Sequence, residues 1–503
     1  MVIDSRTLKL ASSCLLLLFP LYFLFHGLAA FGLLNNVEGM YAEIAREMLA
    51  GGHWIIPHLN DVPYIEKPPL LYWLAASTMS VFGVHDWVVR LVPACAGLLL
   101  LAIVGWFGWR TRGRRFALLS VFMLGSSFGF VVMSRVALTD ALLSALLNAA
   151  LLLTWFGLTK RSKATLRVAS ILLALAILTK GFVALALYGL VGIAWLLFCR
   201  RQDWYATLKQ LFEPWAVALF LLVLLPWHIA AALSLPEFSW FYFVNEHLYR
   251  FLGIREPRDY YSGSVFYYLP RLALMSLPWL PLIALLPFLR NKDSAQSDGL
   301  NGFLICCVLA PLIFFSLSSA KANYYVIVCV PGLALLAAAA LDRWIVLKPQ
   351  RARYVLIGLL LIGIALVPAE RYATQFAAGG ETEFSARKMA KVILFERAAG
   401  VDLPLFVYQD FEDYSSLPFY LQSTVGIIDS RSDDLRFGQR LGAGREHFLT
   451  VEEFMTRPDR QRPAWLVVHD PRQPDFQTTP LAKVSVPMLK IGRATLYRIS
   501  VTN

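Results

Sequence analysis

Long apolar runs alternate with short polar intervals along most of the first 370 residues. The runs near 10–34, 87–109, 116–134, 136–159, 166–180, 181–199, 211–233, 263–289, 300–319, 322–341 and 353–369 predict about eleven spanning helices, because ~20 apolar residues cross a hydrocarbon core. Between Leu166 and Phe198 the only polar interruption is Lys180-Gly181, which divides that stretch into two spans. The interval 35–86 is different: too polar to cross, too apolar for an ordinary loop. Its first part, VEGMYAEIAREMLAGG, has helical spacing. Its second apolar segment, Leu70 to Phe82, is short for a crossing and predicts a helix lying in the membrane interface. After about residue 370 the pattern turns soluble. FSARKMAKVILFERAA (384–399) has helical period, and PLFVYQ (404–409), TVGIID (424–429), AWLVVH (464–469) and LYRIS (496–500) predict short strands. The expected architecture is a polytopic α-helical membrane domain, 1–370, with a catalytic outer loop at 35–86, followed by a small α/β domain, 371–503.

Composition agrees: 58% of the 503 residues are hydrophobic and 16% charged, against roughly half and a quarter in soluble domains. The net charge of +12 falls in clusters between spans: Arg110, Arg112, Arg114 and Arg115; Lys160, Arg161 and Lys163; Arg200 and Arg201; Arg343, Lys348, Arg351 and Arg353. That is the positive-inside distribution, not a nucleic-acid footprint. Arg6 and Lys9 before the first span place the N-terminus in the cytoplasm, and the length of that span favours a retained anchor over a cleaved signal. Counting spans from there puts the basic loops inside. The loops 35–86, 134–136, 180–181, 234–262 and 319–323 then fall outside, with the C-terminal region. All six cysteines lie in apolar spans, so neither a disulfide framework nor a zinc knuckle is implied.

The residues with chemical potential gather on the outer side. Glu38 opens the first outer helix, with Tyr41 on its face; Glu43 and Glu47 are expected to face water. Lys67, in Glu66-Lys67-Pro68-Pro69, stands beside a helix N-terminus, where a point charge and free N–H groups attract phosphate. Asp140 is an acid just inside a span, a functional position by default, with Arg135 as an available partner. Lys180 ends a span at the same face. Arg250 offers a fork for phosphate, and at helical spacing it neighbours His247. His247 with Glu66 offers an imidazole and a carboxylate for one zinc ion. Lys321, Tyr324 and Tyr325 add a cation and two phenols. No GxGxxG, Walker loop or DxD is present, so a donor would be lipid-borne rather than a nucleotide sugar.

The stretch VEGMYAEIAREMLAGGHWIIPHLNDVPYIEKPPLLYWL resembles the first outer loop of the bacterial aminoarabinose transferases that modify lipid A. These are relatives of the protein mannosyltransferases within the polyprenyl-phosphate-dependent glycosyltransferases of GT-C fold. The likeness rests on Glu38, Tyr41 to Met48, Trp54 to His58 and Tyr64 to Pro68, and extends to the Asp140 span, Thr179-Lys180-Gly181, the segment 246–251 and Pro278-Trp279. It implies a multi-pass protein of the bacterial inner membrane that moves a sugar from undecaprenyl phosphate to an envelope acceptor such as lipid A, at the periplasmic face. It also implies that Lys67 and Arg250 hold the carrier phosphate, that Glu38 and Asp140 line the sugar and acceptor site, and that Glu66 and His247 form a zinc pair. Tyr41, Lys180, Tyr324 and Tyr325 complete the substrate-binding set. The family usually carries Asp-Glu where this chain has Val37-Glu38. Either Glu38 or Asp140 then acts as base, or the acceptor is a phosphate that needs none. The alternative is a transporter or flippase of lipid-linked sugars. It predicts charged residues near mid-membrane, whereas here they cluster at one face.

Overall fold

The computed structural model describes residues 5–199, 204–257, 261–289, 295–457 and 463–499. Arg200, Arg201, residues 290–294 and the last residue of the 496–500 segment lie outside the described residues. The chain forms two compact units. One comprises Met1–Leu28, Arg90–Arg255 and Tyr260–Tyr372; the other comprises Ala29–Val89, Glu256–Asp259 and Ala373–Asn503. The first outer loop therefore groups with the C-terminal region rather than with the spans that flank it.

The first unit is helical. Among the described residues six helices are long and apolar enough to cross a membrane: Asp86–Arg112, Thr139–Thr159, Pro214–Ser234, Gly299–Leu317, Tyr325–Leu347 and Pro349–Gly379. Thr139–Thr159 is buried along nearly its whole length and packs against Lys163–Lys180, which packs in turn on Pro214–Ser234. Pro214–Ser234 and Pro349–Gly379 keep most of their apolar surface exposed, as lipid-facing helices do. Two expected spans are broken. The run 116–134 divides at Ser126-Ser127 into Arg114–Gly125 and Phe128–Met133. The run 263–289 divides around Leu277-Pro278 into the helix Tyr268–Met275 and the 3-10 helix Leu280–Leu289. Hydropathy reads only apolar content, while the backbone yields at serine and proline. Here Ser126 Oγ bonds the Phe122 carbonyl, Ser127 Oγ bonds that of Met123, and Trp279 Nε1 donates to Ser126 Oγ at 3.1 Å. The division at Lys180-Gly181 is as expected, because Gly181 takes φ +83° and ends the helix.

The second unit is built on a six-stranded sheet. Its strands are β3 (Leu405–Tyr408), β4 (Gly426–Ile428), β5 (Phe448–Leu449), β6 (Ala464–His469), β7 (Ser485–Ile491) and β8 (Ala494–Ile499), in the order β5-β4-β3-β6-β8-β7. The pairs β3/β4, β3/β6 and β4/β5 are parallel; β6/β8 and β7/β8 are antiparallel. The helix Arg387–Ala398 lies where the sequence places it. Phe406, Ile428, Leu466, Val468, Phe476 and Tyr497 form the core on one face. Sequence pattern misses β5, which has two residues, and β7, whose residues are mostly exposed and do not alternate.

The outer loop is fastened to this sheet domain by specific contacts. A short hairpin, β1 (His58–Leu59) with β2 (Val62–Pro63), presents Asn60, whose amide makes two 2.9 Å bonds with the Val425 backbone. Asn35 Oδ1 accepts from Ser416 Oγ at 2.6 Å, and Leu33 N donates to the Tyr420 hydroxyl at 2.7 Å. Gly39 allows the helix Glu38–Gly51 to approach closely, since a Cβ there would lie 2.6 Å from Ser416 N. Glu43 and Glu47 do not face water; both are buried. Glu43 takes a two-pronged bond from Arg46, 2.7 Å on each arm, and Glu47 accepts from Asn60 N and Asp61 N at 2.7 and 3.1 Å. Glu47 closes the hairpin onto the helix, while Glu43 is engaged by Arg46 of the same helix.

Candidate active site

In the helical unit, the start of one buried helix and the end of its neighbour bring opposite charges together. Asp140 sits in the first turn of Thr139–Thr159 and Lys180 is the last residue of Lys163–Lys180, so each charge also suits its helix dipole. Lys180 Nζ donates to Asp140 Oδ1, with both side chains nearly buried. The ammonium lies 4.2 Å from the Tyr325 ring centroid and 5.8 Å from that of Tyr324. Four residues expected from sequence thus form one cluster. The expected Arg135–Asp140 pair does not form: Arg135 bonds Glu370 at 2.5 Å, and Glu370 also meets His26 at 3.0 Å. Arg135 is three to four residues before the helix that carries Asp140, and a carboxylate more than 230 residues away reaches it instead.

The segment around His247 is a π-helix, Trp240–Tyr249. This i→i+5 winding, frequent at functional sites, replaces the α-helical spacing on which His247 and Arg250 were expected to be neighbours. His247 Nδ1 meets the Tyr242 carbonyl, five residues back, at 2.5 Å, and Nε2 accepts from Phe182 N at 2.9 Å. A Cβ on Gly181 would lie 2.0 Å from His247 Nε2, so the Lys180-Gly181 turn and this histidine are fitted to each other. Arg250 pairs instead with Glu246 at 3.1 Å, and the fully buried Arg255 bonds the same carboxylate. Two guanidinium groups thus share the Glu246 carboxylate. Glu246 and Arg255 were not singled out from the sequence; the E-H-x-x-R spacing was there, but a buried counter-arginine nine residues on has no local signature.

In the sheet-bearing unit, Glu38 is the first residue of its helix, is fully buried, and accepts from Leu34 N at 3.1 Å. Val37 precedes it as a cap with no side-chain bond. Tyr41 packs against Tyr72, ring centroids 5.7 Å apart. Lys67 Nζ lies 3.5 Å from Glu66 Oε2 and 3.2 Å from the Glu66 carbonyl. Pro69 caps the helix Leu70–Phe82 rather than opening it, so Lys67 stands two residues before the cap. Burial, then the charge of Glu66 and the nearness of Tyr41, push the Tyr64 phenol well above its ordinary value. The hydroxyl of Tyr72 is buried with no hydrogen-bond partner among the described residues.

The zinc pair does not fit these positions. With Nδ1–H donating to a carbonyl, the one imidazole lone pair of His247 lies on Nε2, and the Phe182 amide already occupies it. Two other groups among the described residues gather three potential ligands, Asp61 with Glu446 and His447, and Asp410 with Asp413 and His469; neither includes Glu66 or His247.

The undecaprenyl phosphate-α-4-amino-4-deoxy-L-arabinose arabinosyl transferase of Enterobacter sp. (strain 638) is 34% identical over 308 residues, covering 60% of this chain and 54% of that protein. The enzyme of the same name from Aeromonas hydrophila is 31% identical over 395 residues, covering 74% of this chain and 69% of that protein. The chain belongs to this arabinosyl transferase family. It spans only about half the length of the Enterobacter protein. Residues 11–242 also match the family model Dolichyl-phosphate-mannose-protein mannosyltransferase. The crystal structure of ArnT from Cupriavidus metallidurans bound to undecaprenyl phosphate superposes with a TM-score of 0.83 at 24% identity, over 97% of this chain and 98% of that one. The fold is therefore that of a multi-pass, GT-C type membrane protein with a small C-terminal sheet domain.

Proposed function

We propose that this chain is a polyprenyl-phosphate-dependent glycosyltransferase. It moves a sugar from undecaprenyl phosphate to an envelope acceptor such as lipid A, at the periplasmic face of the bacterial inner membrane. The observation that carries the reading is membership of a family whose members at 31–34% identity are named for that donor. In the reaction a nucleophile on the acceptor attacks the anomeric carbon. The bond from that carbon to the carrier phosphate breaks, and the electron pair leaves with the phosphate. In this reading Lys67 and Arg250 neutralise the departing charge, each as a cation already bonded to a carboxylate, Glu66 and Glu246. Asp140, buried and held by Lys180 beside two tyrosine rings, receives the acceptor's proton in this reading. Glu38 shapes the entrance to its helix and Tyr41 lines the same unit. No step is routed through a metal.

In this reading residues 35–86 and the region after 370 lie on the periplasmic side and the N-terminus lies in the cytoplasm. Their grouping into one compact unit supports a shared side. A transporter of lipid-linked sugars would leave the transferase relationship without a reason. Mass spectrometry of envelope lipids from cells with and without the protein should show one sugar increment that depends on it. Identical lipid profiles, with the donor present in both, would overturn the proposal.

A further inference from the structure

The sheet-bearing unit contains a cavity of about 190 Å³ that none of the residues assigned to donor or acceptor lines. It lies between the stretch just before Glu38 and the sheet domain, with Asn36, Glu383, Asp413, His469 and Arg493 supplying its polar wall and Phe384 an aromatic one. Asn36 is held at φ +68°, in the left-handed region that a residue with a side chain enters at a cost. Its backbone is fixed there by bonds to the Glu412 carbonyl, 2.9 Å, and to Ser415 Oγ, 2.9 Å. The result is an amide side chain directed at Asp413, 3.4 Å away.

Most of the polar groups lining this space already have partners. Asp413 Oδ2 lies 2.7 Å from His469 Nδ1, and Glu383 lies 3.0 Å from Arg493 Nε. The adjacent Asp410 is taken by Arg472 through two contacts, 2.5 and 3.0 Å. Glu383 and Arg493 offset each other, Asp413 lies against His469, and an anion would find the guanidinium paired. What the cavity offers is hydrogen-bonding capacity, from an amide, two carboxylates with several lone pairs and a guanidinium fork, next to Phe384, Met389 and Ile491. A ligand rich in hydroxyls with one apolar C–H face satisfies both walls. The volume, below the usual ~300–1,000 Å³ of a drug-sized pocket, suits a single ring.

We propose that this cavity binds one saccharide ring, at a place separate from the residues assigned to the carrier phosphate. If the transferase reading holds, the ring belongs to the acceptor; otherwise it is a free or glycan-borne sugar. The first test needs no transferase activity. Full-length protein in detergent is titrated with glucosamine, glucose, inorganic phosphate and calcium, following ligand NMR saturation transfer. Saturable binding of a sugar is expected, weakened at least tenfold by Asn36→Gly, which keeps the backbone angle and removes the amide. Ile491→Trp, which fills the space, should abolish it, and both variants should keep the wild-type melting temperature. Absence of sugar binding to the wild type, or binding that survives both well-folded variants, overturns the proposal. So does saturable binding of phosphate or calcium alone. A second arm measures transfer. An acceptor KM raised in Ile491→Trp at unchanged kcat assigns the ring to the acceptor. An unchanged KM with sugar binding lost assigns the site to a free saccharide. Absence of transfer in the wild type would bear on the function reading and not on this site.

Discussion

Removing Lys67 tests the carrier-phosphate assignment at its simplest. The ammonium sits beside Glu66 and ahead of a proline-capped helix, and a hydrogen bond to a charged group is worth ~1.5–3 kcal/mol. Lys67→Ala should therefore weaken undecaprenyl phosphate binding by roughly 10–100-fold. Lys67→Arg should restore only part, because a planar fork does not replace a point charge. Wild-type affinity in Lys67→Ala, measured by tryptophan quenching with the carrier, would mean the lysine serves only the headgroup layer. Asp140 requires two readings at once. Asp140→Asn leaves Lys180 buried without its counter-charge, a loss of ~3–5 kcal/mol in comparable buried pairs. The double change Asp140→Asn with Lys180→Met should recover thermal stability but not transfer. Recovery of transfer as well would assign the pair to folding alone. That Asp140, Lys180, Tyr324 and Tyr325 share one membrane face was legible from their positions at span ends; that they touch was not. The true partner of Arg135 was not, because Glu370 is distant in sequence.

Among elements, the outer helix and its hairpin carry a pH signature. Burial, and then the charge of Glu43, raise the Glu47 carboxyl well above its ordinary value. The folded state therefore holds a proton that the unfolded chain releases near pH ~4.3. The stability from this group is full below that pH and is lost as pH rises through the raised folded value. Melting followed in detergent from pH 4 upward should show this decline, and Glu47→Gln, which cannot ionise, should flatten it. An equal decline in both proteins would place the titration elsewhere. The sequence showed this helix, the short apolar helix after Pro69 and four of the six sheet strands, since each depends on local period. It misjudged Glu43 and Glu47 because amphipathic spacing cannot tell water from a second protein layer. It read His247 and Arg250 as i,i+3 neighbours because that spacing assumes an α-helix, and Trp240–Tyr249 is wound as a π-helix.

For the whole molecule, the membrane character and the soluble C-terminal region follow from composition and the positive-inside pattern. The joining of residues 29–89 to 373–503 in one unit does not. It rests on pairs such as Asn60 with Val425 and Asn35 with Ser416, whose amides and hydroxyls look like loop polarity until the partner is seen. The central claim is that a lipid-borne sugar leaves its carrier phosphate on this protein. The most direct measurement uses purified full-length protein reconstituted in vesicles with undecaprenyl phosphate-aminoarabinose and lipid A, and follows both lipids by mass spectrometry. The account predicts that lipid A gains the sugar as an equal amount of undecaprenyl phosphate is released, and that Asp140→Asn and Lys67→Ala suppress both signals together. Donor that stays intact, or crosses the bilayer with its sugar still attached, would contradict it.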